Sequence, residues 1–488
     1  MLFNSYEFIF AFLPLTFFIY FYLNSRRLTE GAKGFLVFAS LFFYSWWNVA
    51  YLPIILVSML FNYVIGVSLA KENSAIKVSK KTLLYFGIVA NLVLLGYFKY
   101  MDFMIDNLNY WIFIEEVPNL NLALPLAISF FTFQQIAYLV DSYRGETKEY
   151  NFLNYANFVA FFPQLIAGPI VHHKEMMPQF SKLRNKVMNY HNIAAGLFIF
   201  SIGLFKKVII ADTFSQWAGI GFDTAETLNF IEAWVTSLSY TFQLYYDFSG
   251  YTDMAIGAAL LFNIKLPINF NSPYKARDIQ DFWRRWHITL SRFLKDYIYI
   301  PLGGNKKGDF KTYNNLMITF ILGGIWHGAG WTFVFWGFLH GLALAIHRFW
   351  KQLGFQLNGI LAWFITFNFV NIAWVFFRAK EWEDAIKVLS GMFNFDAIVL
   401  PYQLTDKLAF LRQYGIEFKM NWMPDLSATI MTFVWLFVGF VLTLAFKNAT
   451  QRLEHFTLDY KTVLFSGVAF IVSVLSLNKV SEFLYFNF

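Results

Sequence analysis

His327 stands near the middle of an uncharged stretch between Lys311 and Arg348, in the local sequence Gly323-Gly324-Ile325-Trp326-His327-Gly328-Ala329-Gly330-Trp331. Such surroundings favour the neutral imidazole, the form that a general base requires. As one continuous helix the stretch would be roughly 50 Å long, against a hydrocarbon core of about 30 Å. The chain must therefore break or turn inside it, and the glycines around His327 are the place where backbone does so at low cost. Irregular backbone at membrane depth survives only where it lines a protein or water cavity, and a titratable group there reads as an active site.

His287 is the second histidine in a chemically suggestive setting. Residues 282–301 (FWRRWHITLSRFLKDYIYIP) carry too many charges to cross lipid. As one helix they are amphipathic, with Trp283, Trp286, His287, Leu290, Leu294 and Tyr297 on one face and Arg285, Thr289, Arg292 and Asp296 on the other. Such a helix lies at the interface or lines a funnel. Two readings of His287 stand side by side: an interfacial histidine bonded to backbone, or a functional group. The segment Tyr245-Tyr246-Asp247-Phe248-Ser249-Gly250-Tyr251-Thr252-Asp253 sets two carboxylates in apolar surroundings. Buried acids need partners, which Arg284 or Arg285 could supply, and a structural ion pair is the commoner outcome. Gln134 and Gln135 are expected to bond between helices.

The other histidines divide by setting. His172, His173, His191 and His455 lie beside charged or loop residues and read as solvated. His340 and His347 share an apolar helix, but no further ligand stands at metal spacing, so packing or a bond to a neighbouring helix is expected. No metal site is expected.

The elements that must position these residues follow from composition. The 488 residues are 58% hydrophobic and 14% charged, with mean hydropathy +0.47; a soluble domain carries nearer a quarter charged. Apolar windows of spanning length recur near 6–23, 34–50, 53–70, 83–99, 121–140, 192–211, 229–246, 251–265, 315–326, 331–346, 358–377, 428–446 and 462–480. The fold class is thus an all-α polytopic membrane protein of roughly 11–13 transmembrane or re-entrant helices. One integral membrane domain, 1–488, is expected, with 381–425 as an extramembrane excursion. Phe161 to Pro169 (FFPQLIAGP) reads as a re-entrant segment or a kinked span.

Arg26, Arg27 and Lys33 follow the first run, and the next two runs return the chain to Lys71, Lys77, Lys80 and Lys81. Both clusters place the N-terminus outside the cytoplasm, and the basic loop from Lys174 to Lys186 inside it. The first run lacks the basic start and cleavage site of a signal peptide. With no cysteine, a cysteine acyl-enzyme, a cysteine-ligated metal and a disulfide framework are excluded. The net charge of +7 is scattered between apolar runs, which fits contact with membrane lipids and not nucleic acid.

Five motifs taken together are specific: LPLAISFFTFQQIAYLVDSYRG, FFPQLIAGPIV, YYDFSGYTDMAIGAALLFNIKLPINFNSPY, DFWRRWHITLSRFLKDYIYIPLGG and GGIWHGAGWTFVFWGFLHG. In content and order the set resembles the membrane-bound O-acyltransferase family, and most of all its bacterial polysaccharide O-acetylation branch, which acts on alginate or peptidoglycan. The resemblance implies a bowl of helices with a central tunnel, His327 as catalytic histidine and His287 as the second family histidine. Within these motifs Trp286, Arg284, Arg285, Asp247, Ser249 and Trp326 are candidate contacts to donor or substrate. The implied donor is acetyl-CoA, a substrate taken from the cytosol, with no tightly bound cofactor. The implied partners are a periplasmic SGNH-type acetyltransferase and a cell-surface polysaccharide, at the bacterial cytoplasmic (inner) membrane. His172 and His173 depart from the branch pattern, where an Arg is expected after FFPQLIAGPIV.

The last eight residues, Ser481 to Phe488, resemble the C-terminal motif of the partner peptide in teichoic-acid D-alanylation. By that likeness Tyr485 is a candidate acyl relay, since a phenol ester is more reactive than an alkyl ester; an interfacial aromatic anchor is the other reading. Rival functions are a lipid, protein or D-alanyl acyltransferase of the same family, and a non-catalytic transporter or flippase, which would share broken helices and an intramembrane histidine.

Overall fold

A computed structural model describes the chain except residues 72–77, 113–116, 150, 167, 478–483 and 485–488. Tyr485 therefore lies outside the described residues. The architecture is all-helical apart from one short parallel pairing, Val399–Pro401 with Glu417–Lys419, among the described residues. That pairing falls within 381–425, which also holds the Trp382–Phe393 helix and several single turns. Among the described residues six helices are long and apolar enough to cross a membrane: Glu7–Ser25, Val49–Ala70, Lys80–Ile112, Tyr190–Thr224, Trp331–Gln352 and Gly359–Arg378. Ile430–Leu444 and Tyr460–Leu475 are shorter apolar helices. The remaining expected spans are broken, joined or too polar to count by composition.

The chain divides into two compact units: Met1–Phe205 with Gly250–Asn269 and Ala449–Phe488, and Lys206–Ser249 with Phe270–Asn448. In the first unit, polar side chains bond between helices. Gln135 Nε2 donates to Ser58 Oγ (3.2 Å) and its Oε1 accepts from the Tyr155 hydroxyl (3.2 Å), while Gln134 Nε2 donates to the Phe158 carbonyl (2.8 Å). This is the interhelical role expected of both. The FFPQLIAGP stretch is broken: one helix ends at Ala160, and a single turn, Phe162–Leu165, follows with Pro163 at its start, where the missing N–H costs nothing.

Three expectations need correction. His172 and His173 are not solvated; both are buried, His172 Nδ1 lying 3.4 Å from Asp141 Oδ2 and His173 Nε2 3.3 Å from Glu149 Oε2. Their neighbours in sequence are charged, but the acids from the end of the Ile128–Tyr143 helix and the segment after it fold over them. The runs 229–246 and 251–265 are not separate spans, because Phe230–Leu261 is one 32-residue helix. Gly250 costs too little helix propensity to interrupt it. The 282–301 segment is not one helix either. It forms Ile279–Arg285, then Ile288–Leu294, then a wider turn over Lys295–Tyr299, with the break at Trp286-His287.

Candidate active site

The geometry around His327 and His287 lies within the second unit. His327 is the last residue of the Asp309–His327 helix; Gly328 follows in extended backbone, and the next helix starts at Trp331. The uncharged stretch thus turns at the glycines, as its length required. The two helices form an antiparallel hairpin whose backbones meet at glycines. A Cβ on Gly324 would stand 2.3 Å from the Phe333 carbonyl oxygen, and one on Gly337 would stand 2.4 Å from that of Phe320. No larger residue allows this approach without moving backbone.

The imidazole of His327 is buried at 3% exposure and walled by aromatic rings. Trp336 and Phe377 present edge-on at 5.2 and 5.0 Å, and Trp326 at 4.8 Å. His287 is fully buried, edge-on to Phe248 at 4.8 Å and to Trp326 at 6.2 Å. Trp326 therefore touches both histidines. It places His287 and His327 on one aromatic cluster although forty residues separate them in sequence.

His287 occupies the left-handed region, φ 40° and ψ 55°, at the break between the two short helices. For a non-glycine residue this conformation is uncommon, although His tolerates it better than most. Strain of this kind persists where surrounding structure over-determines it, and it concentrates at functional sites. The surroundings here are tight. Trp286 stacks on Phe282 (5.8 Å, 15°) and packs on Trp374 (4.9 Å), and Trp374 stacks on Trp336 (5.7 Å, 17°). A buried chain of hydrogen bonds fixes these rings: Trp374 Nε1 donates to the Tyr274 hydroxyl (3.2 Å), which donates to the Thr241 carbonyl (2.8 Å).

Of the candidate contacts, Trp286 and Trp326 belong to this cluster. Asp247 and Ser249 sit one residue to either side of Phe248, which packs on His287. The partner of Asp247 is not Arg284 or Arg285. Lys207, 1% exposed, bonds Asp247 Oδ1 at 2.6 Å and Asp212 Oδ1 at 2.9 Å. Lys206 Nζ reaches Ser249 Oγ at 3.4 Å. Arg285 is taken by Asp281 on its own short helix (2.8 Å), and Arg284 is exposed. The reason for Arg285 is geometric: it ends a seven-residue helix on which Asp281, four residues back, is the nearest carboxylate. Lys207 escaped the sequence reading, although a Lys-Lys pair ending an apolar run just before Asp212 was a signal.

His340 is a further buried histidine, with its Nδ1 accepting from Trp283 Nε1 at 3.1 Å. That is the bond to a neighbouring helix expected for it. His347 Nε2 lies 3.5 Å from Asp278 Oδ1, while His191 and His455 are exposed. Among the described residues no group of three or more His, Asp or Glu is placed to hold a metal ion.

A buried histidine at a helix break and a second in strained backbone thus share one aromatic wall, so the fold brings the two histidines singled out in the sequence into a single buried cluster. The family model of the membrane-bound O-acyltransferases matches residues 10–379, and the chain belongs to that family. It is accordingly a multi-pass membrane acyltransferase, in keeping with a bacterial inner membrane. A peptidoglycan O-acetyltransferase of Helicobacter pylori is 50% identical over 100% of this chain and 98% of its own length. A probable alginate O-acetylase AlgI of Pseudomonas aeruginosa is 41% identical over 81% of this chain and 75% of its own. A teichoic acid D-alanyltransferase of Streptococcus thermophilus is 27% identical over 52% and 68%.

Proposed function

We propose that this acyltransferase takes acetyl from acetyl-CoA at the cytoplasmic side and moves it across the membrane for O-acetylation of a cell-surface polysaccharide. Peptidoglycan or an alginate-like polymer is the acceptor class, and a periplasmic SGNH-type transferase completes delivery. Similarity along the whole chain to a peptidoglycan O-acetyltransferase supports this over D-alanyl transfer, whose relatives match about half of it. The observation that carries the chemistry is the buried imidazole of His327 at the glycine break.

In this mechanism His327 takes the proton of an attacking hydroxyl, either that of the acceptor or that of Tyr485. The hydroxyl oxygen bonds to the thioester carbonyl carbon, and the carbonyl electrons move onto its oxygen. When the carbonyl re-forms, the C–S bond breaks, and the departing thiolate recovers the proton from His327. A hydrogen-bond donor at the developing oxyanion lowers the barrier, and His287 is assigned that role or the orientation of the donor. Tyr485 as first acceptor makes the transfer a two-ester relay.

The test is ester-linked acetate on isolated polysaccharides from cells carrying wild type or His327→Ala at matched membrane abundance. Loss of acetate from one polymer, by about 10²-fold or more, is expected and identifies the acceptor. Unchanged acetate on every polymer overturns the proposal. The same assay with Tyr485→Phe separates relay from direct transfer, since only the relay needs that hydroxyl.

A further inference from the structure

Between the His173–Ser181 and Tyr190–Phe205 helices the chain loops back against residues 263–265, forming an open polar cavity of about 670 Å³. All its lining residues lie in the first unit. Lys174, Lys182, Arg184 and Lys265 line it against one carboxylate, Glu175. Lys174 is engaged by Glu146, whereas Lys182, Arg184 and Lys265 form no ion pair among the described residues and are exposed.

Amides, not charges, hold this cavity in shape. Gln179 Nε2 donates to the Lys265 carbonyl (3.0 Å), and its Oε1 accepts from the Lys265 N–H (2.8 Å). Asn263 Nδ2 donates to the carbonyls of Asn185 (3.1 Å) and Val187 (2.8 Å), and its Oδ1 accepts from Asn192 (2.9 Å). The loop backbone is fixed by uncharged groups, which leaves three cations concentrated on one opening.

Beside these cations the loop and the first residue of the next helix expose apolar side chains: Leu183 at 79%, Val187 at 61% and Tyr190 at 79%. It also leads directly into the candidate span Tyr190–Thr224, which sets it at a membrane boundary. Apolar groups in that position are stabilised by burial at the headgroup level, and cations beside them by the negative leaflet. We propose that the cavity is a headgroup site for an anionic phospholipid. Lys182, Arg184 and Lys265 meet the phosphate, and Leu183, Val187 and Tyr190 lie against its acyl chains. Arg184 supplies paired N–H donors, and the lysines act as point charges. A soluble phosphate ester has the same phosphate chemistry but no counterpart for the apolar fringe.

Purified full-length protein in neutral micelles, titrated with phosphatidylglycerol or phosphatidylcholine and followed by native mass spectrometry, tests the site. Wild type is expected to prefer phosphatidylglycerol. In Lys182→Gln/Arg184→Gln/Lys265→Gln its affinity for that lipid falls roughly five-fold for each cation removed, with phosphatidylcholine binding and unfolding temperature unchanged. If the triple variant unfolds at lower temperature, the three single variants carry the test, and no loss in any of them overturns the proposal. Equal phosphatidylglycerol binding by a folded triple variant also overturns it. So does charge-dependent binding of adenosine 3′,5′-bisphosphate with the lipid preference untouched, which would assign the cavity to a soluble phosphate ester.

Discussion

An imidazole at the carbonyl end of a helix sits in the negative part of the helix field, which favours positive charge there by about 0.3–1 kcal/mol at exposed ends and more when partly buried. His327 has that position at the end of Asp309–His327. In the proposed mechanism the field acts on the charge that the ring gains when it takes the hydroxyl proton. His287 is placed by a different means, a left-handed backbone at φ 40°. Asn tolerates that conformation as well as His does, so His287→Asn removes the ring with little backbone cost. Its expected phenotype is a loss of about 10²–10³ in acetyl-transfer rate beyond any fall in membrane abundance, with the rate normalised to folded protein because the smaller side chain loosens the buried packing. A rate within two-fold of wild type would return His287 to a packing role.

The hairpin of Asp309–His327 and Trp331–Gln352 depends on contact between backbones. A methyl group on Gly337 would meet the Phe320 carbonyl oxygen at 2.4 Å. Gly337→Ala is therefore expected to part the helices at a cost of about 1–3 kcal/mol, read as reduced abundance and lower unfolding temperature in detergent, with activity falling alongside. A second device joins Lys206–Ala211 to the Phe230–Leu261 helix, through Lys207 and its two carboxylates. Lys207→Met removes the cation that bridges Asp212 and Asp247, which costs about 3–5 kcal/mol for a buried pair. Lys207→Met/Asp247→Asn is expected to recover part of that loss in a thermal-unfolding measurement. If the double variant is less stable than the single one, the triad is not the source of the effect.

At the scale of the whole molecule, acid sensitivity is expected from the first unit. Burial pushes the Glu149 carboxyl up, but bonds from His173 and the Asn151 N–H outweigh this and hold it below its ordinary value of 4.5. A carboxyl lowered on folding adds stability that is complete above the unfolded value and is lost as pH falls through the folded one. Wild-type unfolding temperature should therefore drop below about pH 4.5, with a shallower drop in Glu149→Gln. Equal slopes in the two proteins would remove Glu149 from the account. Much of this molecule was legible in its residues one at a time. An uncharged stretch too long for a bilayer and studded with glycines dictates a turn at His327, whatever packs against it, and 58% hydrophobic composition dictates helices that satisfy their own backbone in lipid. Choices between partners were not legible. Whether Asp247 meets an arginine near in sequence or Lys207, whether His172 and His173 face water or Asp141 and Glu149, and whether Trp326 joins two histidines all turn on which surfaces pack together. Local sequence sets what each segment prefers; only the folded chain brings distant groups within hydrogen-bonding reach, where burial makes an unpaired charge too costly to leave.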